Sequence, residues 1–158
     1  MRAAISNSGL VAGPEFMNIT QPLLPEAALI LPLKTDEDVV RLRKQVREEL
    51  LALGFSLVDQ TKVVTAASEL ARNTLRYGGG GEAYIERLSE DSLVGLTMAF
   101  ADHGPGIADV ALALTDGYTT GGGLGLGLSG AKRLVDQFEI DTAPGEGTVV
   151  KITKWRRL

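Results

Sequence analysis

The sequence predicts an α+β fold, a two-layer sandwich in which helices cover one face of a mixed, mainly antiparallel sheet. Three observations predict this fold. Two consecutive segments carry apolar residues at helical spacing, a strand hairpin with a short polar turn follows them, and two further strand-like segments close the chain. The 158 residues suit a single domain, and an apolar content of 44% is enough for one core.

The first predicted elements are an edge strand and a helix. Residues 28–33 form a short apolar run that contains a proline, which suits a strand at the edge of a sheet. The helix that follows begins with a capping box made by Thr35 and Asp38, and Gly54 ends it.

A second helix and the hairpin come next. This helix also starts at a capping box and runs from 57 to about 77, where the glycine run 78–81 breaks it. Residues 82–88 and 93–101 are the two strands of the hairpin, and the second is apolar almost throughout, so we expect it to be central. The remaining predicted elements are a short helix at 109–114, a helix at about 124–138 and strands near 139–142 and 148–154.

The composition excludes several classes of function. With 20 acidic and 16 basic residues, the net charge of −4 is unlike that of a nucleic-acid-binding protein. The chain has no cysteine and one histidine, which excludes thiolate and multi-histidine metal sites. No run is long and apolar enough for a membrane span, so we predict a cytoplasmic protein with no membrane partner. We read residues 1–16 as a vector-derived or disordered leader, which leaves 17–158 as the domain.

A glycine-rich segment raises the question of phosphate binding. Seven glycines lie in the range 117–130, and three of them have the dinucleotide-binding spacing G-x-G-x-x-G, but no strand precedes them. The P-loop pattern also fails, because Ala131 separates the last glycine from Lys132 and an arginine stands at the hydroxyl position. A loop that leads into a helix N-terminus can still bind an anion. The alternative is a solvated surface loop, although its alternating leucines would then serve no purpose.

Two side chains on the second helix are candidates for magnesium and proton chemistry. Glu69 and Asn73 are four residues apart and share one helix face. An amide oxygen is a suitable ligand for Mg²⁺, and a carboxylate can accept a proton from an attacking hydroxyl or water. The alternative is an ordinary solvated pair on a helix surface.

Polar residues at two strand ends are candidates for recognising a base. Asp102 ends an apolar strand beside glycines, where its carboxylate can accept a hydrogen bond from the exocyclic amine of adenine. The alternative is an aspartate that only begins a tight turn, and we assign His103 to that turn. Thr148 opens the last strand and could join Asp102 around the base, or it could simply follow a hairpin turn.

Taken together and in this order, these segments resemble a known ATP site. It is that of the gyrase, chaperone, histidine-kinase and mismatch-repair superfamily, the Bergerat fold, and the resemblance runs from about Ala28 to Trp155. Within the superfamily the chain looks like the small bacterial serine/threonine kinases of the anti-sigma type, above all the switch kinase of the stressosome. The boxes that carry the resemblance are Glu69-x-x-x-Asn73, Asp102-x-Gly104-x-Gly106, Gly123-x-Gly125-x-Gly127 and Gly147-Thr148.

The resemblance implies ATP and Mg²⁺ as cofactors and phosphorylation of serine or threonine on STAS-domain partners of the anti-anti-sigma-like kind. A downstream phosphatase or sigma-pathway regulator is a further implied partner. By the same resemblance Asn73 holds the metal, Glu69 is the base, Asp102 reads adenine, and 116–127 forms a lid and phosphate loop. The predicted nucleotide-binding set further contains Gly104, Gly106, Thr119, Thr120, Gly123, Leu124, Gly125, Gly127, Lys132 and Thr148.

Three rival functions stay open at this point. An anti-sigma factor of the same family would sequester a sigma factor and switch partners with ATP. The catalytic lobe of a sensor histidine kinase would need a phosphoacceptor histidine on a helical hairpin, whereas the single histidine here, His103, lies in a glycine turn. A free-standing ATPase would use water in place of the protein hydroxyl.

Overall fold

A computed structural model describes residues 3–6, 9–12, 23–26, 28–115 and 127–158. Its strands are β1 (Ala3–Ser6), β2 (Gly9–Ala12), β3 (Leu29–Leu33), β4 (Gly81–Glu90), β5 (Leu93–Asp102), β6 (Gln137–Ala143) and β7 (Gly147–Arg157). Its helices are α1 (Asp36–Ala52), α2 (Leu57–Arg76), α3 (Val110–Ala113) and α4 (Gly127–Arg133).

The strands form one sheet in the order β2-β1-β6-β7-β5-β4-β3, and every pairing among the described residues is antiparallel. β5 lies between β7 and β4, in keeping with its apolar sequence, and β3 is an edge strand as its proline indicates. The predicted α+β architecture with a mainly antiparallel sheet is therefore confirmed.

The main core lies between the helices and one face of the sheet. Alternate residues of β5 and β7 point toward the helices, and Met98, Phe100 and Ile152 are almost fully buried there. α1 contributes Leu42 and Val46 to the same core. A small second cluster on the opposite face of the sheet joins Leu23 to Ala99 and Val149.

The caps predicted for α1 and α2 determine where these helices start. The Thr35 hydroxyl accepts a hydrogen bond from the Asp38 N–H (3.2 Å), and the Asp38 carboxylate accepts one from the Thr35 N–H (3.1 Å), so the capping box of α1 is complete. At α2, Ser56 accepts a hydrogen bond from the Asp59 N–H (3.2 Å). α2 ends as predicted at the glycine run, and Gly79 and Gly80 take positive φ angles of 73° and 100°.

The last predicted helix is shorter than its sequence indicates. Among the described residues it ends at Arg133, and β6 already begins at Gln137, so the prediction that this helix reaches Phe138 is wrong. Phe138 and Ile140 alternate with the more polar Gln137 and Glu139, and both apolar side chains are buried on the helix-covered face. This period of two is typical of a strand, and residues 137–140 are a strand and not the end of the predicted helix.

Eight residues of the segment predicted to be a leader, 3–6 and 9–12, are among the described strands. β1 and β2 form a hairpin, and β1 pairs with β6 at the edge of the sheet. Strand addition depends on backbone hydrogen bonds to an open edge, so the side-chain pattern of this segment gave little sign of it. No helix among the described residues is both long and apolar enough to cross a membrane.

Candidate functional site

Asp102 is the centre of the candidate site. It is the last residue of β5, and its Oδ1 accepts hydrogen bonds from the Gly104 N–H (2.9 Å) and the Thr148 N–H (3.2 Å). Among the described residues, no donor bonds to its Oδ2. The turn after β5 and the start of β7 therefore hold one carboxylate oxygen in place and leave the other for a ligand.

Burial raises the pKa of the Asp102 carboxyl above its ordinary value. The two backbone N–H groups and the nearby His103 act in the opposite direction but do not outweigh the loss of water. A ligand that donates a hydrogen bond to Asp102 would replace part of that lost solvation.

Glycines allow three segments to converge on Asp102. A Cβ on Gly78, directly after α2, would overlap the Asp102 carboxyl group. A Cβ on Gly104 would lie 2.6 Å from the Gly78 Cα, and one on Gly147 would overlap the Asp102 carbonyl. The C-terminus of α2, the end of β5 and the start of β7 approach so closely that side chains at these three positions would push them apart.

Gly106, another predicted nucleotide-binding residue, also lies at a close backbone approach. A Cβ there would overlap the Ala143 carbonyl at the end of β6. Next to it the Gly145 N–H donates to the Pro105 carbonyl (2.8 Å), which joins the loop after β5 to the β6–β7 turn. His103 is exposed in this loop, consistent with its assignment to a turn.

Thr148 belongs to a hydroxyl network that sequence reasoning missed. Thr142, its cross-strand partner, is 1% exposed, and the two Oγ1 atoms are 2.8 Å apart. Thr142 donates its proton to the Gly147 carbonyl (3.1 Å) and accepts from the Ile107 N–H (2.9 Å), so Thr148 is the donor between the two hydroxyls. The sequence shows a threonine at 142 but does not show that it faces Thr148. That pairing follows only from the register of β6 and β7.

Glu69 and Asn73 lie on α2 as predicted, and neither is an exposed residue. Glu69 is 8% exposed, and its Oε1 accepts a hydrogen bond from Arg72 Nη1 (2.9 Å). Asn73 is half-buried, and no described residue bonds to its side-chain amide. Its carbonyl accepts the N–H groups of Tyr77 (2.9 Å) and Gly78 (3.2 Å), so one helical turn connects Asn73 to the glycine that packs on Asp102.

Part of the predicted site belongs to the glycine-rich segment. Thr119, Thr120, Gly123, Leu124 and Gly125 lie outside the described residues. Gly127 is the first residue of α4, with φ of 55°, and Lys132 is exposed in the last turn of that helix. The phosphate-binding role of this segment stays a prediction.

The described residues contain no cluster of three or more acidic, histidine or cysteine side chains that could hold a metal by themselves. A cation at Asn73 would take most of its ligands from phosphate oxygens and water, which is the usual manner of Mg²⁺ in nucleotide sites. The free amide of Asn73 fits this arrangement.

Comparison with protein families matches residues 58–157 to the family of histidine kinase-, DNA gyrase B- and HSP90-like ATPases. The matched range begins in α2 and ends in β7, so it contains Glu69, Asn73, Asp102 and Thr148. It covers more than half of the chain.

Curated relatives point in the same direction. The chain is 43% identical over 125 residues to the serine/threonine-protein kinase RsbT of Bacillus subtilis (strain 168), an alignment that covers 79% of this chain and 94% of that protein. It is 34% identical over 119 residues to an anti-sigma F factor of Bacillus licheniformis, covering 71% and 80% of the two chains.

A solved structure shares the fold. The RsbU and RsbW domains of Rv1364c from Mycobacterium tuberculosis match with a TM-score of 0.54 and 23% identity over 84% of this chain and 34% of that one. The resemblance that the sequence motifs indicated is confirmed by the family match and by the curated relatives. The chain belongs to the family of histidine kinase-, DNA gyrase B- and HSP90-like ATPases.

Proposed function

We propose that this protein is an ATP- and Mg²⁺-dependent serine/threonine protein kinase that phosphorylates STAS-domain regulators in a bacterial partner-switching stress pathway. The observation that carries the proposal is the position of Asp102. Two backbone donors fix one of its oxygens, the other has no bond from the described residues, and glycines bring the turn that follows Asn73 against it.

In this proposal Asp102 recognises adenine. Its unbonded Oδ2 accepts a hydrogen bond from the exocyclic amine, whereas the carbonyl of guanine at the same place would meet a second acceptor. The Thr142–Thr148 pair positions a hydroxyl beside this carboxylate, because the Thr148 N–H also bonds to Asp102.

Asn73 and the phosphates of ATP would hold Mg²⁺, which neutralises developing charge during phosphoryl transfer when it is bound. The half-buried amide of Asn73, with no competing bond from the described residues, is available for this role. Asn73 follows Glu69 by one helical turn, and its carbonyl accepts the Gly78 N–H, which supports a metal between the adenine-binding end of the site and Glu69.

Glu69 is the proposed general base. It orients the hydroxyl of the protein substrate and accepts its proton as the new oxygen–phosphorus bond forms and the bond to the ADP leaving group breaks. The carboxylate is nearly buried, and helical spacing puts it on the same face of α2 as the half-buried Asn73.

The kinase activity is supported by relatives, and the substrate class is supported by the motif resemblance. One relative is named a serine/threonine-protein kinase, and it aligns over 94% of its own length. Its name does not state a substrate, and STAS-domain proteins enter from the resemblance of the ATP-site boxes to the switch kinases. Transfer would take place in the cytoplasm.

The test is phosphoryl transfer from γ-labelled ATP, with Mg²⁺, to a panel of purified bacterial STAS-domain proteins. We expect label on a serine or threonine of one of them. Glu69→Gln should lower the transfer rate by about 10²–10⁴-fold while ATP still binds, because only the proton acceptor is lost. Glu48→Gln, the same change at an exposed position on α1, is the matched control.

Two results would contradict the proposal. Transfer by Glu69→Gln at the parental rate would remove Glu69 as the base. The absence of labelled protein, together with an ATP-dependent complex with a sigma factor, would favour the anti-sigma alternative, which the anti-sigma F factor relative supports. A pull-down of sigma factors and STAS proteins by the same sample separates these two outcomes.

A further inference from the structure

One ion pair on α2 contains a nearly buried carboxylate that takes no part in a helix cap. Arg72 Nη1 lies 2.9 Å from Glu69 Oε1, and the two side chains are 35% and 11% exposed. By contrast, Arg41 and Glu37 on α1 are 3.9 Å apart and 68% and 85% exposed. The α2 pair has lost much more of its contact with water than the Arg41–Glu37 pair. Arg41 also lies 2.9 Å from Asp38, whose side chain is 8% exposed, but the capping box of α1 accounts for that carboxylate.

Helix stability does not account for this pair. Charged pairs three residues apart add little to a helix, and α2 already has a Ser56 cap and a long apolar stripe against the core. A carboxylate in a nearly buried position costs free energy unless a partner is supplied, and Arg72 is that partner. The question is therefore what a buried carboxylate is needed for.

We propose that Arg72 is a positioning residue for Glu69, an inference that rests on the proposed kinase function. Its guanidinium fixes Oε1, so that Oε2 faces the incoming hydroxyl in a constant orientation. The hydroxyl proton passes to Glu69 Oε2 as the oxygen bonds to the γ-phosphorus, and the electron pair of the broken phosphoanhydride bond leaves with ADP. Arg72 donates throughout and takes no proton, because its guanidinium remains charged.

The position of Arg72 in sequence supports this role. It precedes Asn73 directly, so on α2 it points about 100° away from the amide while its neighbour Glu69 shares the Asn73 face. Arg72 therefore approaches the carboxylate from beside that face and does not occupy the place proposed for the metal.

The test combines a kcat measurement with a double-mutant cycle. Arg72→Ala should lower kcat for transfer to the STAS acceptor by about 10- to 100-fold, because the base loses its fixed orientation. The dissociation constant for a fluorescent ATP analogue with Mg²⁺ should stay within about twofold of the parental value. Arg72→Lys, which keeps the charge, should recover part of kcat. Arg47→Ala, at an exposed arginine of α1, is the control for the charge change.

The cycle distinguishes positioning from an independent contribution. If Arg72 acts through Glu69, the double variant Glu69→Gln/Arg72→Ala should be no slower than Glu69→Gln alone. Losses that multiply, parental kcat in Arg72→Ala, or an ATP affinity that falls by the same factor as kcat would each overturn the inference. Arg72→Lys provides the same comparison if Arg72→Ala fails to fold, as judged by circular dichroism.

A second readout separates this inference from the proposed function. ADP release without acceptor protein measures attack by water at the same base. If no STAS protein is phosphorylated but Arg72→Ala slows ADP release, the substrate class is wrong and the Arg72 role stands. If transfer occurs and Arg72→Ala is unimpaired in both assays, only the Arg72 role is overturned. A parental chain inactive in both assays would overturn both.

Discussion

Asp38 and Asp102 both accept backbone hydrogen bonds, yet their environments shift their pKa values in opposite directions. At the start of α1, Asp38 uses both oxygens: Oδ2 accepts from the N–H groups of Lys34 (2.9 Å) and Thr35 (3.1 Å), and Oδ1 accepts from Arg41 (2.9 Å). The backbone bond from Lys34 is the largest cause that lowers its pKa. At Asp102 burial is the largest cause, and the pKa is raised.

The difference lies in the unused acceptor. Both oxygens of Asp38 accept hydrogen bonds from the chain itself, so its ionised form is stabilised by folding. Asp102 has two donors on one oxygen and none from the described residues on the other, so folding alone leaves its charge incompletely solvated. A carboxylate of the first kind holds a helix end, and one of the second kind is suited to a ligand.

Of the changes at these two aspartates and their partners, Asp102→Asn should have the largest effect. The amide can still accept the Gly104 and Thr148 N–H groups through its oxygen, but its NH₂ would face the exocyclic amine of adenine. We expect ATP to bind about 10- to 100-fold more weakly, the loss of a hydrogen bond to a charged group, with no loss of thermal stability in the absence of ATP. Isothermal titration with ATP and thermal unfolding of the free protein measure the two quantities.

The matched control is Asp36→Asn, which removes the same charge from an exposed position in the first turn of α1. It should bind ATP with parental affinity. An Asp102→Asn protein that also binds ATP normally would remove Asp102 from adenine recognition. One that unfolds at a markedly lower temperature would show that Asp102 is structural, like Asp38.

The two regions also differ in how far the sequence could predict them. The α1 cap depends on residues three apart, Thr35 and Asp38, so local pattern was sufficient and the structure shows the complete box. The Asp102 pocket depends on β5, β7 and the end of α2, which are far apart in sequence. Each motif alone was a weak signal. Their order along the chain resembles that of a known family, and this resemblance predicted that they form one site.

What the sequence could not predict follows from the same distinction. Thr142 contacts Thr148 only because the β6–β7 register places them opposite each other. The Arg72–Glu69 pair is local, but its burial depends on the packing around α2, which periodicity does not report. The β1–β2 hairpin adds to an edge through backbone groups and needs no apolar pattern.

The second prediction concerns the cap side of the comparison. Thr35→Ala removes the hydroxyl that accepts the Asp38 N–H (3.2 Å) and should lower the free energy of unfolding by about 1 kcal/mol. ATP affinity should not change, since Thr35 makes no contact with the Asp102 pocket in the described residues. Urea denaturation at constant m-value measures the loss, and Thr35→Ser, which keeps the hydroxyl, should retain most of the stability.

The smallest expected effect is a pair of opposite pH dependences in the protein without ATP. The lowered pKa of Asp38 contributes stability that is present above its ordinary value of 3.8 and is lost as the pH falls through the lower folded-state pKa. The raised pKa of Asp102 has the reverse sign: its contribution is fully present below 3.8 and is lost as the pH rises through the higher folded-state pKa.

Urea unfolding as a function of pH should therefore show the deficit of Asp38→Asn growing from acid toward neutral pH. Asp102→Asn should instead gain on the parental protein over the range just above 3.8, because the asparagine has no charge to leave unsolvated. ATP should diminish that gain, since bound adenine donates to the oxygen that the folded chain leaves free. If both variants changed with pH in the same direction, the distinction between a carboxylate completed by the chain and one completed by its ligand would fail.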